Sequence, residues 1–136
     1  MAVTEWEKEH EDINANAENA AFIAEVSYAL LEKNPSGIFE KEPAYLGSSG
    51  KKHTLDFKFN GIGYIAIKPS QKSAAPAIYK LVDITNRNTN IDEEIIVVID
   101  DRFDKSAAKN IGQVFRSLSE VVNFSRIDIQ KNVAHH

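Results

Sequence analysis

Apolar residues change their spacing along this chain, and each change marks an element. From Thr4 to Lys33 they follow a helical repeat, with Trp6, Ile13, Ala17, Ala20, Ala24, Ser27 and Leu31 near one stripe and Ile23 and Leu30 beside it. Glu11, Glu18, Glu25 and Glu32 recur every seven residues on another face. Asn14, Asn16 and Asn19 are weak helix formers and predict a break in the middle. Asn34-Pro35-Ser36-Gly37 stops the helix, and Ile38 to Leu46 reads as a short extended segment.

The spacing then shortens to two on both sides of Asn60-Gly61. That dipeptide between alternating apolar residues is the strongest local sign of a hairpin, because both central positions of a type I′ turn need φ > 0. A two-residue loop pairs Phe59 with Ile62, Phe57 with Tyr64, Leu55 with Ala66 and His53 with Lys68. One face then carries Leu55, Phe57, Phe59, Ile62, Tyr64 and Ala66, with His53 and Lys68 at its far end. The other carries Thr54, Asp56, Lys58, Ile65 and Ile67. Two apolar faces suit an interior hairpin covered on both sides. In this register Asp56 points away from His53 and Lys68 unless a bulge intervenes.

Farther along, Pro69 to Ala75 reads as a loop and Pro76 as the first residue of a helix reaching about Asn86. Asn86 to Asn90 is a polar turn. Glu94 to Asp100 is a buried strand; consecutive apolar residues cannot all face one side, so Ile96 and Val98 should both be covered. Asp104 or Ser106 caps a helix whose core face holds Ile111, Val114, Phe115, Leu118 and Val122. Phe124 to Ile129 alternates as a last strand. The order α-β-β-α-β-α-β predicts one α/β domain over residues 1–136, with a mixed sheet and helices on both faces. Residues 1–33 form its N-terminal helical segment, 44–130 its α/β core and 131–136 a fraying tail.

Composition narrows the classes. At 136 residues and 43% hydrophobic the chain is ordinary for one globular domain. No apolar run approaches the roughly 18–20 residues of a membrane span, and the N-terminus lacks a signal-peptide core, so a cytoplasmic protein is expected. With no cysteine, disulfides, thiolate nucleophiles and Cys-ligated zinc are excluded. His135 and His136 sit where a purification tag would also place them, which leaves His10 and His53, too few for a histidine metal site. Net charge is −4 but uneven: residues 1–50 net −7, residues 51–90 net +5 and residues 91–136 net −2. The positive block spans the hairpin. It suits a phosphate or acidic partner, and equally a set of solubilising, edge-protecting lysines.

Candidate chemistry gathers between Gly47 and Lys68, where a glycine-serine loop leads into strands bearing His53, Asp56 and Lys68. The run Gly47-Ser48-Ser49-Gly50-Lys51-Lys52-His53-Thr54-Leu55-Asp56-Phe57 resembles a G-x-S-G-x-x-H-x-x-D-F pattern of uncharacterised bacterial and phage-borne domains. Over about Ala44 to Gln130 the layout is also similar to the PD-(D/E)xK restriction-endonuclease-like fold. In that fold a helix precedes a hairpin carrying a metal-binding Asp on one strand and an acid-x-Lys on the next. The resemblance makes Asp56 the first Asp and metal ligand and Lys68 the Lys, with His53 as a further catalytic candidate. Ala66 stands in place of the second acid. Two carboxylates are needed to hold Mg²⁺ and orient a water, so the cofactor expected is weakly bound Mg²⁺ or none. Glu25 or His53 could replace the missing ligand, though nothing in the sequence places either there. In the plainer reading, His53 and Lys68 cap the hairpin end and Asp56 satisfies neighbouring backbone or Lys58.

Asp100, Asp101 and Asp104 follow a buried strand, where open α/β sheets place ligands, although capping of the next helix accounts for them as well. There is no G-x-x-x-x-G-K-[ST] loop and no G-x-S-x-G elbow. Two functions remain. One is a nuclease-like scaffold with weak or no catalysis that binds nucleic acid through Lys51, Lys52, Lys58, Lys68 and Lys72. The other is a non-catalytic phage or mobile-element module that binds and inhibits a host protein. A shared groove of lysines around Asp56 favours the first; scattered lysines beside exposed apolar helix residues such as Trp6 favour the second.

Overall fold

The computed structural model describes residues 2–87 and 94–127, with side chains for residues 17–86 and 94–127. The side chains of Trp6 and Ile13, most of the 86–90 turn and the 131–136 tail therefore lie outside the described residues. Helix α1 (Ala2–Lys33) runs without a break through Asn14, Asn16 and Asn19. Each Asn lowers helix propensity by well under about 1 kcal/mol, too little to interrupt a helix that packing anchors farther along. The buried face also differs from the expected stripe. Phe22, Val26 and Ala29 are buried with Ile23, Leu30 and Leu31 beside them, while Ala17, Ala20 and Ala24 point outward. Large side chains choose the face, since alanines bury little area either way.

The Ile38–Leu46 segment splits into two short strands, β1 (Phe39–Lys41) and β2 (Ala44–Leu46). After the Gly47–Gly50 loop come β3 (Lys52–Thr54), β4 (Phe57–Phe59) and β5 (Ile62–Ile67). The hairpin register holds at its turn, with Phe59 opposite Ile62 and Phe57 opposite Tyr64. It ends there. The predicted pairs Leu55–Ala66 and His53–Lys68 do not form, because the chain leaves the main sheet at Leu55. The Leu55 N–H donates to Pro43 and β3 pairs antiparallel with β2, His53 opposite Tyr45. Asn60 and Gly61 take φ of 51° and 83°, as a type I′ turn requires. Gly61→Val forces a β-branched residue into that conformation and should destabilise by about 1–2 kcal/mol or more. A thermal melt unchanged by the substitution would mean that the loop tolerates another geometry.

Helix α2 (Gln71–Arg87) begins five residues before Pro76. Ser70 caps it, its Oγ accepting from the Ser73 N–H and its carbonyl from Ala74. Pro76 sits inside the helix and simply omits one backbone bond. Strand β6 (Ile95–Ile99) is interior, with Val98 fully buried and Ile96 partly so. Asp104 caps α3 (Lys105–Arg116) by accepting from the Ala107 N–H. Ile111, Phe115 and Leu118 pack inward as expected, but Val114 is half exposed and Val122 belongs to the next strand. That strand, β7, is Glu120–Asn123, earlier than expected, and residues 124–127 form a helical turn. Asp101 turns the chain there by accepting from both the N–H and the hydroxyl of Ser125, which sends Phe124 and Ile127 into the α1-side core.

The main sheet has the order β1-β4-β5-β6-β7, antiparallel up to β5 and parallel beyond it. Helix α1 covers one face through Phe57, Phe59, Tyr64, Ala66 and Val98. Helices α2 and α3 cover the other through Ile65, Ile67, Val97 and Ile99, joined there by Leu55 and Tyr45. The result is an α/β domain with a five-stranded mixed sheet between helical layers. Among the described residues no helix is long and apolar enough to cross a membrane.

Candidate functional site

His53, Asp56 and Lys68 occupy three separate places, each defined by a different carboxylate. The first centres on Asp83, in the fourth turn of α2 beyond its capping Ser70. The Gly47–Gly50 loop closes around this carboxylate. Ser48 Oγ and the Ser49 N–H donate to one oxygen at 2.9 Å each, and Ser49 Oγ and His53 Nε2 donate to the other at 2.6 Å each. The Ser48 N–H also bonds the Asp83 carbonyl. Gly47 is required by space: a Cβ there would lie 2.0 Å from an Asp83 oxygen. The His53 ring packs edge-on against Tyr79. The set is Ser, Asp and His, but a hydrolytic relay needs the imidazole between acid and hydroxyl. Here the carboxylate is in the middle, so the cluster clamps a loop and does not activate a nucleophile.

The Ser49 hydroxyl, then His53, with Ser48 and the Ser49 N–H adding, hold the Asp83 carboxyl well below the usual carboxylate range against the opposing effect of burial. A depressed carboxylate contributes stability that is complete above its unfolded pKa of about 3.9 and fades as pH falls toward the folded value. Wild type should therefore lose stability more steeply below about pH 4 than Asp83→Asn, read from denaturant midpoints across that range. Parallel pH profiles for the two proteins would remove Asp83 as the acid-sensitive group.

The second place holds Lys68. Its Nζ lies 3.3 Å from Asp100 Oδ2 and over the Phe103 ring at 5.2 Å. Asp100 is fully buried and also takes Arg102 in a two-pronged pair, Nε to Oδ1 at 2.8 Å and a terminal nitrogen to Oδ2 at 3.0 Å. Burial pushes the Asp100 carboxyl up, but the Arg102 contacts and Lys68 pull it below its ordinary value. Arg102 reaches on to Glu25 at 2.8 Å and lies over Phe124 at 4.6 Å. Thus Glu25 meets Arg102 and not Asp56, and Lys68 is committed to Asp100. Asp101 and Asp104 serve the structural roles already described.

The third place holds Asp56. Past Phe57 the β5 strand loses its β4 partner while keeping β6, and the Asp56 carboxylate fills the gap by accepting from the Ala66 N–H at 2.8 Å. It faces a cavity of about 360 Å³ shared with Asn19 of α1 and Lys72, Ser73 and Lys80 of α2. Lys80 donates to the Thr54 carbonyl at 2.9 Å. Asn19 accepts from the Lys68 N–H at 3.4 Å, linking this cavity to the Asp100 cluster. Burial raises the Asp56 pKa; the Ala66 bond and the Lys80 charge pull it back, and Glu42 pushes it up. Among the described residues no group of three or more His, Asp or Glu is placed to hold a metal ion.

Of the lysines expected to contact nucleic acid, Lys72 lines this cavity, joined by Lys80, which sequence reasoning missed. Lys51 and Lys52 lie beside the serine loop, and Lys58 sits 5.8 Å from the Tyr45 ring. The spacing of Ser73, Pro76, Ala77 and Lys80 along one face of α2 was the available signal for the cavity wall. Comparison with family models, with curated proteins and with solved structures finds no match to this chain.

Proposed function

We propose that this chain is a nuclease-like scaffold with weak or no catalysis that binds nucleic acid through the lysine-bearing cavity around Asp56. The observation carrying this reading is the hydrogen bond from Ala66 to Asp56. It brings Asp56, the first acid by the resemblance, beside position 66 on β5, where the resemblance would put the second acid, with Asp56 in the bend just before β4 and α1 leading the sheet. Lys72 and Lys80 supply positive charge at the same cavity. The residues do not fit a tightly held Mg²⁺: position 66 offers a methyl group, burial raises the Asp56 pKa, and Lys68 is bound to Asp100. A phosphodiester can be held by lysines, but nothing there activates a water.

Affinity for a labelled oligonucleotide should be modest, fall with salt and weaken in Lys72→Ala and Lys80→Ala. Cleavage in Mg²⁺ or Mn²⁺ should not exceed background. Robust cleavage abolished by Asp56→Ala would instead make the protein an active nuclease. Absence of salt-sensitive binding to DNA or RNA would favour the alternative, a phage or mobile-element module that docks on a host protein. One feature favours that second reading: Tyr79 is 59% and Val82 38% exposed on α2, and Val114 49% on α3.

A further inference from the structure

The third acid of the 100–104 run leads into a face of the molecule that the charge distribution along the sequence conceals. Residues 91–136 are net negative, yet α3 carries Lys105, Lys109 and Arg116 on one stripe, since steps of four and seven residues return to the same side of a helix. All three are exposed, and they line a groove of about 200 Å³ between α3 and β7. Among the described residues none of them makes an ion pair. The groove's own acid, Asp101, is buried and engaged by both the N–H and the hydroxyl of Ser125. Its floor is small: Ala108 and Gly112 are buried, and a Cβ at Gly112 would meet Ile99 at 3.5 Å and Val121 at 3.8 Å. Such contacts are ordinary, so the small residues leave a shallow bed without being forced by the packing, and the long cationic side chains stand above it.

We infer that this groove is a second contact for nucleic acid, taking successive phosphates of the sugar-phosphate backbone; its ligand class rests on the reading above. The spread of the cations selects a polyanion over a small ion. At about 1.5 Å per residue, Lys105 and Lys109 are about 6 Å apart along the axis and Lys105 and Arg116 about 16 Å. No exposed aromatic or large aliphatic side chain lines the groove, whereas the centre of a protein interface is built on such anchors. Lysine and arginine without an apolar centre suit backbone contacts that carry no base information.

The test uses the full chain and its triple variant Lys105→Gln/Lys109→Gln/Arg116→Gln, with Lys72→Ala/Lys80→Ala as the comparison. Binding is followed by anisotropy with a fluorescein-labelled single strand, its duplex and labelled polyglutamate, over a salt series. The three side chains are exposed, so the melting temperature of the triple variant should match wild type. Its affinity for the oligonucleotides should fall about tenfold or more at low salt, and the slope of log K against log salt should shrink by about two to three. If the triple variant keeps both affinity and slope while the Lys72/Lys80 pair loses them, the groove is overturned and the cavity reading stands. If wild type binds neither oligonucleotide, both fall together. Loss of polyglutamate binding with oligonucleotide binding intact would overturn the nucleic-acid assignment in favour of an acidic protein partner.

Discussion

Asp100→Ala should lower stability by about 3 kcal/mol, enough to shift the melting temperature of a domain this size by about 10 °C. The carboxylate has no exposed surface and accepts from Arg102 at three donors while holding Lys68 at 3.3 Å. Removing it leaves two cations facing a buried site, which is the damaging way to break such a pair. Arg102 and Lys68 are each a little over a quarter exposed and can recover part of their hydration, which places the effect at the lower end of the usual range. Asp100→Asn keeps the shape and should lose less. A change below about 1 kcal/mol in chemical denaturation would show that the cluster is solvated and contributes little beyond its geometry.

Phe57→Ala should be at least as damaging, about 3–5 kcal/mol. Phe57 is buried at the centre of a stack, its ring 5.3 Å from Phe39 and 5.1 Å from Tyr64. The stack joins β1, β4 and β5 across one face, and the cavity left by truncation is bounded by backbone on one side and by α1 on the other. Phe57→Leu, which refills most of the volume, should recover roughly half of the loss. Equal destabilisation by Ala and Leu would point to ring stacking over volume as the source. Loss of the Phe39 contact should also loosen β1, seen as faster amide exchange at Phe39 to Lys41 than at Tyr64 to Ile67.

How much of this was readable in the sequence depended on whether the controlling contact was local. The Asn60-Gly61 turn, the Asp104 cap and the apolar run of β6 are set by residues within a few positions of one another, and each formed where expected. Some departures involve distant partners, others a competing local signal. His53 was expected opposite Lys68, but Asp83, thirty positions away, takes it instead. Asp83 itself resembles an ordinary solvent-facing acid within an amphipathic helix, and no local pattern marks it as the centre of a loop cage. Pro76 is a good first helical residue, so the true start at Ser70 was hidden by a stronger local signal. Strand β7 was displaced because Val121 and Val122 can continue a helical stripe as readily as an alternating strand. For the candidate site, the expected register paired Ala66 with Leu55 and put Asp56 on the other face; the contact between Asp56 and the Ala66 N–H arises because the chain leaves the sheet at Leu55, and Asn19 and Lys80 enter from helices whose docking the sequence does not encode locally.

The main sheet lists its strands in the order in which the chain presents them, and this bears on how the protein is made. As the chain emerges from a ribosome, α1 appears first with Phe22 and Val26 uncovered, and it stays so until β5 follows some forty residues later, about 2–8 s at ordinary rates of synthesis. The β4–β5 hairpin then closes on the microsecond scale and supplies both the surface for α1 and an edge for the next strand. β6 and β7 each add to an edge that already exists, and no strand has to be inserted between two neighbours. Nascent chains that stop after α2 carry β5 with that edge bare, so the interval before β6 arrives is when this protein is most exposed to mispairing with another copy.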